Sequence, residues 1–128
     1  MQLVAVVAAL ALIQYFVFGL RVGQARGKFG IEAPAITGHP VFERHFRVHQ
    51  NTMEQLVLFL PALWLFATFV SAGIAAVLGV VFIVGRALYA RAYVAEPKTR
   101  ETGVVLTAGA NAVLLLGGLI GALLQLVH

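Results

Sequence analysis

Cysteine is absent from the 128 residues, which excludes disulfides, thiolate metal sites and a protein thiol nucleophile. Any sulfur chemistry must therefore use a thiol brought by a ligand. No metal is expected either, because His39, His45, His49 and His128 lack a ligand spacing with acids on one face. Charge is scarce: 11% of the residues are charged and 61% are hydrophobic, against about a quarter charged in soluble domains. Every Lys, Arg, Asp and Glu lies in one of two windows, Arg21 to Glu54 and Arg86 to Glu101. The flanking stretches, Met1 to Leu20, Gln55 to Gly85 and Thr102 to His128, carry none. Each can cross about 30 Å of hydrocarbon, and the middle one is too long to cross once. These absences describe an integral membrane protein. A net charge of +4 would suggest nucleic acid in a soluble chain, but here it reflects the bias of Lys and Arg toward cytoplasmic loops, and no nucleic-acid partner is expected.

Four spans follow, at about residues 2–22, 41–70, 74–95 and 102–127, in one transmembrane domain covering 1–128. The first reads as a retained span, since no basic residue precedes its apolar run and Gly19-Leu20-Arg21 makes a poor cleavage site. Interhelical hydrogen bonds would account for its Gln14 and Tyr15. From Gly23 to Pro40, repeated Gly and Pro predict a loop containing Arg26 and Lys28. The long uncharged run breaks at Ser71-Ala72-Gly73, and Pro97 is expected to end the third helix. Gly117 and Gly121 form a G-x-x-x-G spacing suited to close helix contact, within the chain or between chains. The basic residues fall in the first and third loops, which places these in the cytoplasm and both termini on the opposite side. The fold expected is all-α, a four-helix up-and-down membrane bundle.

Phe42 to Pro61 organises the chain. On a helix, Glu43, Arg44, Arg47, Gln50, Asn51, Glu54 and Gln55 fall within an arc of roughly 140°. Counting about twenty residues from the turn puts Asn51, Glu54, Arg86 and Tyr89 at membrane depth, with Glu54 and Arg86 a candidate buried pair. The third helix brings Arg86, Tyr89 and Tyr93 to one side. Ionisable residues at the bilayer centre cost at least about 2.5–3.5 kcal/mol each on insertion scales, so this many polar groups at one depth points to a polar ligand site. Arginines near that face suit a ligand presenting carboxylates, and Glu54 an ammonium group. A small peptide-like zwitterion with excess negative charge meets both demands.

Glu43-Arg44, then Arg47-Val48-His49-Gln50-Asn51-Thr52-Met53-Glu54, followed by Leu58-Phe59-Leu60, Arg86, Tyr89, Tyr93 and Arg100, resembles the signature of the MAPEG family, the membrane-associated proteins in eicosanoid and glutathione metabolism. The spacing is similar to that of the leukotriene C synthase branch, and the Arg-x-His-x-Asn-x-Met-Glu detail to that of the prostaglandin E synthase branch. The likeness covers the chain from roughly Arg26 onward. It implies a homotrimer binding glutathione between adjacent subunits near the cytoplasmic face. By the same resemblance, Arg26, Arg47, His49, Asn51, Glu54, Tyr89, Tyr93 and Arg100 match positions that contact glutathione or line its site. Arg100 matches the arginine proposed to stabilise the thiolate. His49 lies across the helix from the polar stripe and must face another helix or subunit. Two positions depart from the branches: Glu101 stands where the prostaglandin branch has a hydroxyl residue, and Gln55 where the leukotriene branch has a tyrosine. The expected activity is therefore that of a general glutathione transferase or peroxidase acting on a lipophilic small molecule that arrives through the membrane lipid. A non-catalytic member of the same architecture, holding a lipid or a protein partner, is the alternative. A small multidrug transporter would need a carboxylate in its first helix, and Met1 to Leu20 has none.

Overall fold

The computed structural model describes residues 1–96 and 100–128, and its elements are four helices: α1 (Gln2–Phe29), α2 (Pro40–Phe69), α3 (Ala72–Ala95) and α4 (Glu101–Leu126). All four are long and apolar enough to cross a membrane. α2 and α3 pack on each other, and each also touches both α1 and α4. The result is a four-helix bundle.

α1 departs from its expected length. It runs past Val22, through Gly23 and Gly27, to Phe29, and stops at Gly30, whose φ of 66° provides a left-handed cap. Gly23 and Gly27 only lower helix propensity, by about 1 kcal/mol each. Burial of Val22 and Ala25 against Ile31 and Phe42 outweighs that cost. The first loop therefore starts seven residues later than predicted, and Arg26 belongs to a helix. His39 caps α2, its Nδ1 accepting from Val41 N at 3.1 Å, and Pro40 occupies the first turn, where its missing N–H has no consequence. The turn between α2 and α3 is shorter than predicted. Only Val70 and Ser71 lie outside the helices, because the Ser71 hydroxyl accepts from Ile74 N at 3.1 Å and so starts α3 at Ala72. The predicted stop at Pro97 lies outside the described residues.

Packing depends on small residues. Phe59 stacks on Phe82 with centroids 3.9 Å apart in the middle of the core, among Ala11, Ala62 and Ala75. A Cβ at Gly121 would lie 2.7 Å from Phe69 O, and one at Gly118 2.9 Å from Leu65 Cβ, so these two glycines of α4 serve contact with α2 within the chain. The outer surface is apolar, with Val57 72%, Val77 63% and Ile120 57% exposed. Such a surface suits hydrocarbon rather than water.

Candidate functional site

Arg86 is 1% exposed and is the largest fully buried side chain. It lies about 21 Å along α3 from Ala72, inside a 30 Å slab counted from the α2–α3 turn. Its Nη2 donates to Asn51 Oδ1 at 2.8 Å and to Thr52 Oγ1 at 2.9 Å. Its guanidinium carbon lies 4.3 Å from the centre of the Tyr89 ring. Nε is buried without a partner. The expected pair with Glu54 does not form: a neutral amide and a hydroxyl hold the guanidinium, and the Glu54 side chain is exposed. The reason is angular. Glu54 sits roughly 60° around α2 from Asn51, enough to carry it out of the α2–α3 seam.

Above Arg86 the charge continues through rings. Tyr89 stacks on Tyr93 at 5.4 Å, and the Arg100 guanidinium lies 5.9 Å from the Tyr93 ring centre. Arg100 is exposed and occupies the N-cap position of α4. What brings α4 so near is Gly103: a Cβ there would collide with the backbone of Tyr89. At Gly85 a Cβ would lie 3.0 Å from Thr107 N. Between these elements is a cavity of about 160 Å³, lined by Asn51 and Gln55 of α2, Arg86 and Tyr89 of α3, and Arg100 and Thr107 at the α4 side. Sequence reasoning did not single out Thr52, Thr107 or Asn111. Asn111 is 2% exposed and donates to Gln55 Oε1 at 3.0 Å. A lone amide in an apolar helix was the available signal, since such a group needs a partner in hydrocarbon.

The remaining predicted residues lie elsewhere. Arg47 and Glu54 are exposed, about 40–60° around α2 from Asn51. His49 stacks on Tyr15 of α1 at 4.4 Å, and its Nε2 would lie 3.0 Å from a Cβ at Gly19. Tyr15 is thus engaged by a ring rather than by the hydrogen bond expected for it. Gln14 does bridge helices, Nε2 donating to Ile83 O at 2.9 Å. Arg26 donates to Ala35 O at 2.7 Å and lies 4.9 Å from the centre of the Phe42 ring. Phe42 and His49 share one face of α2, and Asn51 is about 160–180° away. The chain therefore brings Asn51, Tyr89, Tyr93 and Arg100 together and holds Arg26 and His49 on the α1 side. Among the described residues no group of His and acidic side chains could hold a metal ion.

Comparison with known proteins bears on this arrangement. Residues 4–120 match the MAPEG family. The chain is 45% identical to an uncharacterized protein of Synechocystis sp. over 95% of this chain and 89% of that protein. It is 41% identical to microsomal glutathione S-transferase 2 of Homo sapiens over 93% of this chain and 81% of the relative. With leukotriene C4 synthase of Mus musculus it shares 36% identity over 98% of this chain and 82% of the relative.

Proposed function

The chain belongs to the MAPEG family, and from that premise we propose that this integral membrane protein is a glutathione transferase or peroxidase whose Arg100 stabilises the glutathione thiolate for attack on a lipophilic electrophile or hydroperoxide. Relatives named for glutathione transfer and leukotriene C4 synthesis support glutathione as co-substrate.

The observation that carries the reading is an incomplete site. A cavity of about 160 Å³ falls below the roughly 300–1,000 Å³ of small-molecule sites. The residues that the family likeness assigns to glutathione divide between two faces of one chain, Asn51, Tyr89, Tyr93 and Arg100 on one, Arg26 and His49 on the other. A second copy, in a homotrimer, would set the α1-side half against the Arg100 half. Arg47 and Glu54, exposed in the single chain, would then lie within the shared site. Guanidinium forks of Arg47 and Arg26 suit the two carboxylates of the tripeptide, and Glu54 suits its ammonium group. Asn51 is presented by its bond from Arg86, and the unpaired Nε of Arg86 leaves a donor near the same cavity.

A thiol of pKa about 8.5 is a few per cent ionised at pH 7. A permanently charged guanidinium at the positive end of α4 favours the sulfur anion, the proton passing to water. In conjugation the sulfur bonds to the electrophilic carbon as the leaving group departs. With a hydroperoxide it takes the terminal oxygen, and the alkoxide leaves. The basic loops would face the cytoplasm. Purified protein is expected to join glutathione to an electrophilic aryl halide, with Arg47→Ala and Glu54→Ala each weakening glutathione binding. Unchanged binding in both variants places the site elsewhere. Binding without turnover favours the non-catalytic alternative.

A further inference from the structure

A groove of about 580 Å³ runs between α1 and α3, and no described residue of α4 lines it. Its walls are apolar: Val17 and Phe18 from α1, and Ala87, Ala90 and Val94 from α3. The small side chains on α3 are what leave the space, since Phe18 is buried beside Ala90 and does not fill it. Gln14 marks the deep end, tied to the backbone of Ile83. Arg21 and Arg91, with His45 of α2, mark the other. Arg21 and Gln14 are about 10 Å apart along α1. Past Arg21 and His45 a second cavity, of about 310 Å³, continues to Lys28.

Two features coincide here that have no need of each other. Loop bias alone would account for basic residues at this end of the bundle. It does not account for an apolar slot leading inward from them. Among the described residues neither Arg21 nor Arg91 has a carboxylate partner, and both are exposed. In the groove wall Val17 is 36% exposed, and Val84, one turn before Ala87 on α3, is 47% exposed, so the apolar walls are continuous with the surface that meets hydrocarbon. The matching occupant is an amphiphile with an anionic head at interface depth and an apolar tail below it. Net-neutral headgroups would leave the basic mouth without a counter-charge, and anionic headgroups attract such clusters.

We propose that the α1–α3 groove holds an anionic phospholipid, its phosphate at Arg21 and Arg91 and one acyl chain lying along Val17 toward Gln14. The site is separate from the Arg100 cavity and does not depend on glutathione chemistry. Native mass spectrometry of the full-length protein, equilibrated in detergent with phosphatidylglycerol and phosphatidylcholine, tests it. Phosphatidylglycerol should be retained at least about tenfold over phosphatidylcholine, as expected when two or more basic side chains meet an anionic headgroup. The double variant Arg21→Gln/Arg91→Gln should lower that retention about thirtyfold. Ala87→Phe, which fills the groove and keeps the charges, should lower retention of both lipids. Added phosphatidylglycerol should raise the melting temperature of the wild type and not that of the charge variant, whose exposed positions leave the core untouched. Equal retention of the two lipids overturns the proposal, and so does retention that neither variant alters. Because the chain lacks cysteine, Ala87→Cys introduces a single thiol. A disulfide-linked dimer formed through it would put a second copy over the groove and also overturn the proposal.

Discussion

Arg86 places a charge where a bilayer protein can least afford one, and its surroundings answer with neutral partners. One nitrogen meets Asn51 and Thr52, and the face of the guanidinium meets Tyr89. Arg86→Ala leaves Asn51 Oδ1 and Thr52 Oγ1 without their donor, and unfolding in detergent should show a loss of about 1–3 kcal/mol. Glu54 is the contrasting case. Removing one member of a buried ion pair costs about 3–5 kcal/mol, whereas an exposed substitution changes stability by about 0.5 kcal/mol or less. Glu54→Gln should therefore leave the unfolding of the single chain unchanged while weakening glutathione binding. At Arg100 the prediction is catalytic. If the guanidinium lowers the thiol by about two units, wild-type conjugation rises with pH through about 6.5 and is level above it. Arg100→Ala should move that rise toward about 8.5 and lower the rate at neutral pH far more than it lowers glutathione binding. A profile that does not move, read by stopped-flow absorbance of the bound thiolate, removes the role assigned to Arg100.

At the scale of elements, the α3–α4 contact sets the site. Gly103 faces the Tyr89 backbone so closely that only a hydrogen fits. Gly103→Ala must separate the two helices, at about 1–3 kcal/mol by analogy with overpacked cores, and should disturb the Tyr93–Arg100 approach with it. Gly109 on the same helix faces open space, with nothing within 4 Å of where a Cβ would stand, so Gly109→Ala should be neutral or stabilise by up to about 1 kcal/mol. Thermal melts of the two variants in one detergent separate these outcomes. Equal destabilisation would mean that the close approach at Gly103 does not govern the fold. The extension of α1 follows the same logic in reverse. Glycine marks a loop only where nothing else holds the helix, and here Val22, Ala25, Ile31 and Phe42 hold it.

For the whole molecule, the two half-sites proposed on opposite faces make a prediction about mixtures. Arg26→Ala damages one half and Arg100→Ala the other. In a closed ring of identical interfaces, one interface in four, about a quarter, joins two intact halves when the variants are mixed equally and at random. Co-expressed and co-purified, two poorly active variants should thus recover about a quarter of wild-type conjugation. No recovery in demonstrably mixed oligomers would mean that each chain carries its own complete site. The apolar exterior and the polar Asn51–Arg100 seam are consistent with this division. Most of the surface is apolar, and the polar groups of the seam gather where helices meet.

Charge distribution alone was enough to read four spans, because in hydrocarbon a lone ionised group is so costly that its absence from three long stretches has few other meanings. Helical spacing was likewise enough to align Arg86, Tyr89 and Tyr93, since that alignment depends only on the 3.6-residue repeat. Partners across helices were another matter. Whether Arg86 would meet Glu54 or Asn51 turned on a rotation of about 60°, and whether Gly23 and Gly27 would break α1 turned on what packed against Val22 and Ala25. Neither depends on local sequence. Both were decided when four helices had to share one core, and the same packing sent His49 to Tyr15 and Asn51 to Arg86 from opposite sides of one helix.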